Sequence, residues 1–117
     1  MQMKEIGFGA AQPVDGYGPG FFRVGGRPVD GALCLSIEGL VAWGGLEDLD
    51  PLLELAGEVD VLLVGTGSQM EPLTASTLAR LQESGLGVEV MSTPSACRTY
   101  NVLLGEGRRV ALAVMPV

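Results

Sequence analysis

Two short apolar runs constrain this chain more than anything else in it: Val59-Asp60-Val61-Leu62-Leu63-Val64 and Gly87-Val88-Glu89-Val90-Met91. Each has the length of a strand, and the first, bounded by glycine, is typical of a buried one. The segment between them has helical spacing. Thr74 stands where a cap belongs, Leu78 and Leu81 face inward, and Gly85 stops the helix after about Ser84. Strand, crossover helix and strand in one sheet run parallel, so both strands bring their carboxyl ends to one edge. The pattern then repeats. Thr93-Pro94 opens a helix in the cap-then-proline order, with Thr93 as cap, and the helix runs to about Leu104. Gly105 and Gly107 release it into a last strand from Arg109 to Met115. Alternating strands and helices of this kind build an α/β layer.

The first part of the chain is written in another style. Phe21-Phe22-Arg23-Val24 and Arg27-Pro28-Val29 flank Gly25-Gly26, a pair suited to a two-residue hairpin with positive φ. In Ala32-Leu33-Cys34-Leu35-Ser36-Ile37, Leu33, Leu35 and Ile37 alternate onto one face. Glu38-Gly39 is expected to turn the chain and Leu40-Val41-Ala42-Trp43 to return as the partner strand. Between Leu46 and Ala56 leucines recur near helical spacing, and Pro51 fits only a first turn. A helix is therefore expected from Asp50, with Asp50 as its cap. No internal repeat, low-complexity tract or linker divides the 117 residues, so 1–117 reads as one domain.

Composition removes whole classes of function. Histidine is absent, and with it go Ser-His-Asp and Cys-His catalysis, imidazole acid–base work and His-ligated metals. Seven Lys and Arg against fourteen Asp and Glu give a net charge of −7, which argues against nucleic acid as a partner. The charge is segregated. Between Arg27 and Arg80 there is no base, while Asp30, Glu38, Glu47, Asp48, Asp50, Glu54, Glu58, Asp60 and Glu71 all lie there. That segment reads either as a solvated acidic face or as a docking surface for a basic partner. Met1-Gln2-Met3-Lys4-Glu5-Ile6 lacks the apolar core of a signal peptide, and no run has the length of a membrane span. Cys34 and Cys97 are then expected to remain thiols, and two thiols without histidine make a poor zinc site. The expectation is a cytoplasmic chain without metal or cofactor.

One place stands out for a ligand. Gly65-Thr66-Gly67 and Ser92-Thr93-Pro94-Ser95 emerge at the carboxyl edge of the parallel strands, where open α/β sheets bind ligands. The second segment is also a helix N-terminus, and Arg98 adds charge, so a small anion is a candidate ligand. Each signal has a plainer counterpart. Gly65-Thr66-Gly67 is a GxG and not a dinucleotide fingerprint, no Walker A motif occurs, and Thr93 and Ser95 suit capping. A helix N-terminus and Arg98 would lower the Cys97 thiol pKa and make it a weak candidate nucleophile, but small core cysteines are common. Cys34, between Leu33 and Leu35, reads as structural, and Trp43, Phe21 and Phe22 as core or interface anchors. Glu71 and Asp60 are expected to flank the sheet edge. Tyr100 and Asn101 stand apart: an asparagine inside a helix needs a hydrogen-bond partner or a ligand.

Tyr17-Gly18-Pro19-Gly20-Phe21-Phe22-Arg23-Val24, then Gly31 and Trp43, resemble the N-terminal signature of a family of small single-domain proteins. Val64-Gly65-Thr66-Gly67, Val88-Glu89-Val90-Met91-Ser92-Thr93 and Ala96-Cys97-Arg98-Thr99-Tyr100-Asn101-Val102-Leu103 continue the likeness over nearly the whole chain. The family is a domain of unknown function, Mth938-like, that includes the mitochondrial complex I assembly factor 3 proteins and the adipogenesis-associated domain proteins. The resemblance implies a three-layer α/β domain with a mixed central sheet, N-terminal antiparallel hairpins and a βαβαβ-like half. It supplies no enzymatic activity. It implies a protein partner, since the mitochondrial members help assemble a membrane-bound NADH:ubiquinone oxidoreductase; the composition here suggests a prokaryotic member. Two functions are consistent with these residues. The first is a non-catalytic binding protein assisting a membrane complex. The alternative is a small-anion or metabolite site, enzymatic or not, formed by Gly65, Thr66, Gly67, Thr93, Cys97, Arg98, Tyr100 and Asn101. A homo-oligomer joined through the aromatic strands is a further expectation.

Overall fold

The computed structural model describes residues 11–117, so Met1–Ile6 and the rest of the first ten positions lie outside the described residues. The first described strands are β1 (Gly16–Gly18), β2 (Phe21–Val24) and β3 (Arg27–Asp30), an antiparallel sheet in the order β1-β2-β3. Gly25 and Gly26 turn β2 into β3 with φ of 59° and 79°, the doubly positive geometry of a tight hairpin turn. β1 has no apolar alternation and is set by its pairing, Tyr17 against Phe22.

A second, five-stranded sheet contains β4 (Leu33–Ser36), β5 (Gly39–Val41), β6 (Val61–Gly65), β7 (Gly87–Met91) and β8 (Val110–Val114), in the order β5-β4-β8-β6-β7. β4 is antiparallel to β5 and β8, and β6 is parallel to β7 and β8, so the sheet is mixed. Three helices cover it: α1 (Asp50–Leu53), α2 (Ala75–Glu83) and α3 (Thr93–Gly105).

The strand pleat sorts side chains onto two faces. Leu33, Leu35, Leu63, Val110, Leu112 and Val114 point to one face and pack with Ala96, Cys97 and Tyr100 of α3 and Phe22 and Val24 of the small sheet. Cys34, Leu62, Val64, Ala111 and Ala113 point to the other and meet Leu52, Leu55, Leu81 and Leu86. Three layers result, with β4, β6 and β8 buried on both sides.

Several local expectations need correction. The turn after β4 is Ile37-Glu38, closed by the Ser36–Gly39 pair, not Glu38-Gly39; Ile37 sits at the corner and is exposed rather than on the Leu33–Leu35 face. Asp50 does not cap α1. The cap is Leu49, whose side chain makes no capping bond, and the helix is a single turn. Leu52 within it and Leu55 just beyond it are buried, and the chain bends away through Gly57 at φ 86°. Thr74 does cap α2, its hydroxyl accepting from the Thr77 N–H at 3.2 Å. Trp43 lies beyond β5, half-buried, and its indole N–H donates to the Asp48 carbonyl at 2.9 Å.

Candidate functional site

The carboxyl ends of β6 and β7 meet the start of α3, as the crossover argument requires. The Thr66 N–H donates to the Met91 carbonyl at 3.0 Å and the Thr93 N–H to the Gly67 carbonyl at 2.7 Å. Thr93 is not the cap. Ser92 caps α3, its hydroxyl accepting from the Ser95 N–H, and Thr93 is fully buried instead. The Thr93 hydroxyl accepts from the Gly67 N–H at 2.9 Å and donates to the Met115 carbonyl at 2.7 Å, fastening three segments together. Gly65 is a glycine because α3 passes so close. A Cβ there would lie 2.6 Å from Val114 Cγ1 and 2.8 Å from Thr93 Cα, distances real side chains do not tolerate. Thr66 accepts from the Glu71 N–H at 2.8 Å and donates to the Gln69 carbonyl at 3.0 Å, ordering its own loop. The polar groups of Gly67, Thr66 and Thr93 are thus engaged within the chain, Thr66 with Gln69, Glu71 and Met91 and Thr93 with Gly67 and Met115.

Tyr100 and Asn101 find their partners 87 or 88 positions away. The Asn101 amide accepts from the Val14 N–H and donates to the Val14 carbonyl, both at 2.9 Å, so it pairs with that residue as a neighbouring strand would. Tyr100 is fully buried and its hydroxyl donates to the Gln12 carbonyl at 2.7 Å. Burial pushes its pKa well above the ordinary phenol value. An asparagine in a helix interior was the sequence signal for this clasp; the segment it holds, Gln12 to Val14, gave none of its own.

Between that segment and α3 lies an open groove of about 330 Å³, lined by Val14 to Tyr17, Pro94, Cys97, Arg98, Asn101 and Val102. It brings Cys97, Arg98 and Asn101 together. Thr93, Tyr100 and Gly65 to Gly67 do not line it. Arg98 is exposed, and the apolar rim comes from Tyr17, 42% exposed, and Val102, 56% exposed. Cys97 forms part of the floor and is buried, and burial raises its thiol to about 11 rather than lowering it. Desolvation here outweighs the helix N-terminus and Arg98, because a thiolate packed among apolar side chains loses its water. Cys34 is raised to about 12 for the same reason. Both cysteines are free and belong to opposite faces of the sheet. Asp60 and Glu71 do not flank one edge: Asp60 precedes β6 at its amino end, and Glu71 follows the loop at its carboxyl end. Among the described residues no helix is long and apolar enough to cross a membrane.

Comparison with known proteins places this geometry among relatives. A family described as "Protein of unknown function (DUF498/DUF598)" matches residues 14–115. An uncharacterized protein of Rhodobacter capsulatus is 47% identical, over 100% of this chain and 94% of its own length. NADH dehydrogenase (ubiquinone) 1 alpha subcomplex assembly factor 3 of Danio rerio is 34% identical over 86% of this chain. The aligned part spans only 62% of that relative. The solution structure of a Bordetella pertussis protein, described as a Mth938-like domain, superposes with a TM-score of 0.75 at 28% identity, covering 99% of this chain and 91% of that one.

Proposed function

From the premise that this chain belongs to the DUF498/DUF598 family, we propose that it is a non-catalytic, cytoplasmic binding protein of a bacterium that assists the assembly or stability of a membrane-bound respiratory complex. The observation that carries this reading is the assembly-factor role in the name of relatives such as the Danio rerio protein. The site chemistry supports it. Thr93, Tyr100 and Asn101 spend their hydrogen bonds on their own backbone, and Cys97 is a protonated thiol at neutral pH. Side chains so engaged hold the fold together more readily than they drive a reaction. The test is cross-linked affinity purification of the tagged protein from its own cells, together with a clean deletion. Recovery of respiratory-complex subunits, and their loss from the membrane on deletion, is the expected result; unchanged complexes and no recovered subunit would sink the reading.

A second reading rests on one observation, an exposed Arg98 beside Cys97 and Asn101 on the groove of about 330 Å³. That arrangement suits a small carboxylate or phosphate. Titration calorimetry with inorganic phosphate and simple dicarboxylates tests it, and heats unchanged by Arg98→Glu would remove it.

A further inference from the structure

The two edges of the five-stranded sheet are not protected alike. β7 carries the exposed carboxylate of Glu89 at its centre, a charge that discourages a further strand. β5, the opposite edge, is Gly39-Leu40-Val41, with no charge and no proline, and Leu40 is 57% exposed. Its register makes the edge usable. Ser36 and Gly39 close the two-residue turn and so form a hydrogen-bonded pair; Leu35 and Leu40 then form the non-bonded pair that follows. The Leu40 N–H and C=O therefore point away from β4, where no described strand meets them.

A groove runs along each side of this edge, and the two differ in chemistry. Toward α1, a cavity of about 290 Å³ is lined by Val41, Pro51, Leu55 and the carboxylates Glu38, Glu54 and Glu58, and Leu40, at the edge itself, borders both grooves. Those acids come from a turn, a helix end and the loop beyond it. Ser36 also lines this cavity and is 3% exposed. Its hydroxyl accepts from the Glu38 N–H at 3.2 Å, and its own proton has no acceptor among the described residues. Toward the small sheet, a cavity of about 420 Å³ is lined by Gln12, Val24, Gly25, Val29, Leu40 and one base, Arg27.

We propose that β5 is where the partner docks, by adding an extended segment that alternates Lys or Arg with apolar residues. The alternation follows from the pleat: successive side chains of an added strand fall into opposite grooves. Basic side chains face Glu38, Glu54 and Glu58, and apolar ones cover Leu40, Val24 and Val29, on the side where Arg27 repels a second base. Main-chain bonds to Leu40 supply affinity, and the charges set which partner is accepted and in which register. This inference rests on the binding-protein reading and gives that partner its chemistry.

The probe is a short synthetic peptide alternating lysine and valine, followed by fluorescence anisotropy and by hydrogen exchange at the Leu40 amide. Binding that protects Leu40 and weakens about tenfold in Glu54→Lys/Glu58→Lys is expected, since two exposed charge pairs are lost and replaced by repulsion. Leu40→Pro removes the outward N–H and should abolish binding; if that variant misfolds, Leu40→Lys, which keeps the backbone, should weaken it instead. Equal binding of a scrambled peptide of the same residues would reduce the effect to net charge and overturn the proposal. So would an unprotected Leu40 amide, or a dimer of the protein alone that Leu40→Pro dissolves, which would make a second copy the occupant. In the affinity purification, subunits recovered equally by wild type and Glu54→Lys/Glu58→Lys would overturn the edge and leave the assembly reading standing. Subunits absent even with wild type would overturn the assembly reading, and the peptide result would then decide the edge alone.

Discussion

On the face of the sheet covered by α3, polar side chains are consumed in joining distant parts of the chain. Asn101 holds Val14, Tyr100 holds the Gln12 carbonyl, and Thr93 joins Gly67 to Met115. On the face covered by α1 and α2 the buried core is leucine, valine and alanine with Cys34, and the carboxylates of Glu38, Glu54 and Glu58 stand exposed around an open groove. The α3 face contains the residues whose types most suggest a catalytic site in the sequence, and three of them, Thr93, Tyr100 and Asn101, hydrogen-bond to distant backbone groups of the chain. The opposite face has the character of an ordinary solvated surface and keeps its charge available. Specific residue types near a sheet edge therefore point to function only once their hydrogen bonds have been counted.

Truncating the clasp should have the largest effect. Tyr100→Ala removes a fully buried ring and the bond to Gln12 together, and is expected to cost about 3–5 kcal/mol in urea unfolding. Close behind is Gly65→Ala, about 1–3 kcal/mol, because α3 and Val114 must move to admit the methyl group. Asn101→Leu leaves the Val14 N–H and C=O without their partner and should cost about 1–3 kcal/mol. A loss below about half a kcal/mol at both Tyr100 and Asn101, the size of an ordinary surface substitution, would break the contrast between the two faces.

Each face also buries one thiol, Cys97 on the side of α3 and Cys34 on the side of α1 and α2, and pH reads that burial. Cys97 rises from 9.0 to about 11 and Cys34 to about 12, so folding favours their protonated forms. That stability is fully present below pH 9 and is lost as pH climbs through the folded values. Unfolding midpoints should accordingly fall as pH rises from 9.0 to about 11, and iodoacetamide should label Cys97 no faster at neutral pH than an ordinary thiol. The smallest effect is expected at the exposed carboxylates beside α1. Glu54→Gln and Glu58→Gln should each change stability by less than about 0.5 kcal/mol, since both side chains are exposed.

The second half of the chain was legible because its signals are local. Glycine-bounded apolar runs mark β6 and β7, and Thr74 and Gly85 bracket α2 closely. The crossover rule then put the loop after β6 beside the start of α3. What escaped depended on contacts distant in sequence. β1 has no pattern of its own and exists because Phe22 lies beside Tyr17. The single-turn α1 mimics a longer helix because leucines facing a sheet from a bent chain recur much as they do on a helix. Ser92 and Thr93 exchange places as cap and first helical residue because both bear hydroxyls; what distinguishes them is distant in sequence, the Gly67 N–H and the Met115 carbonyl that the Thr93 hydroxyl binds.

The position of β8 has a consequence for how the domain is made. It is the last strand in chain order among the described residues, yet it lies between β4 and β6 and is the only described strand that joins the antiparallel half of the sheet to the parallel half. Until Val110 to Val114 are in place, the two halves have no shared ladder, and the earlier hairpins lack the floor on which Phe22 and Val24 pack. Loop-closure entropy must be met before such contacts form, so folding should be slow for a chain of this length and close to all-or-none. A nascent chain would expose its earlier apolar strands until Val110 to Val114 had left the ribosome, and would need protection from aggregation until then.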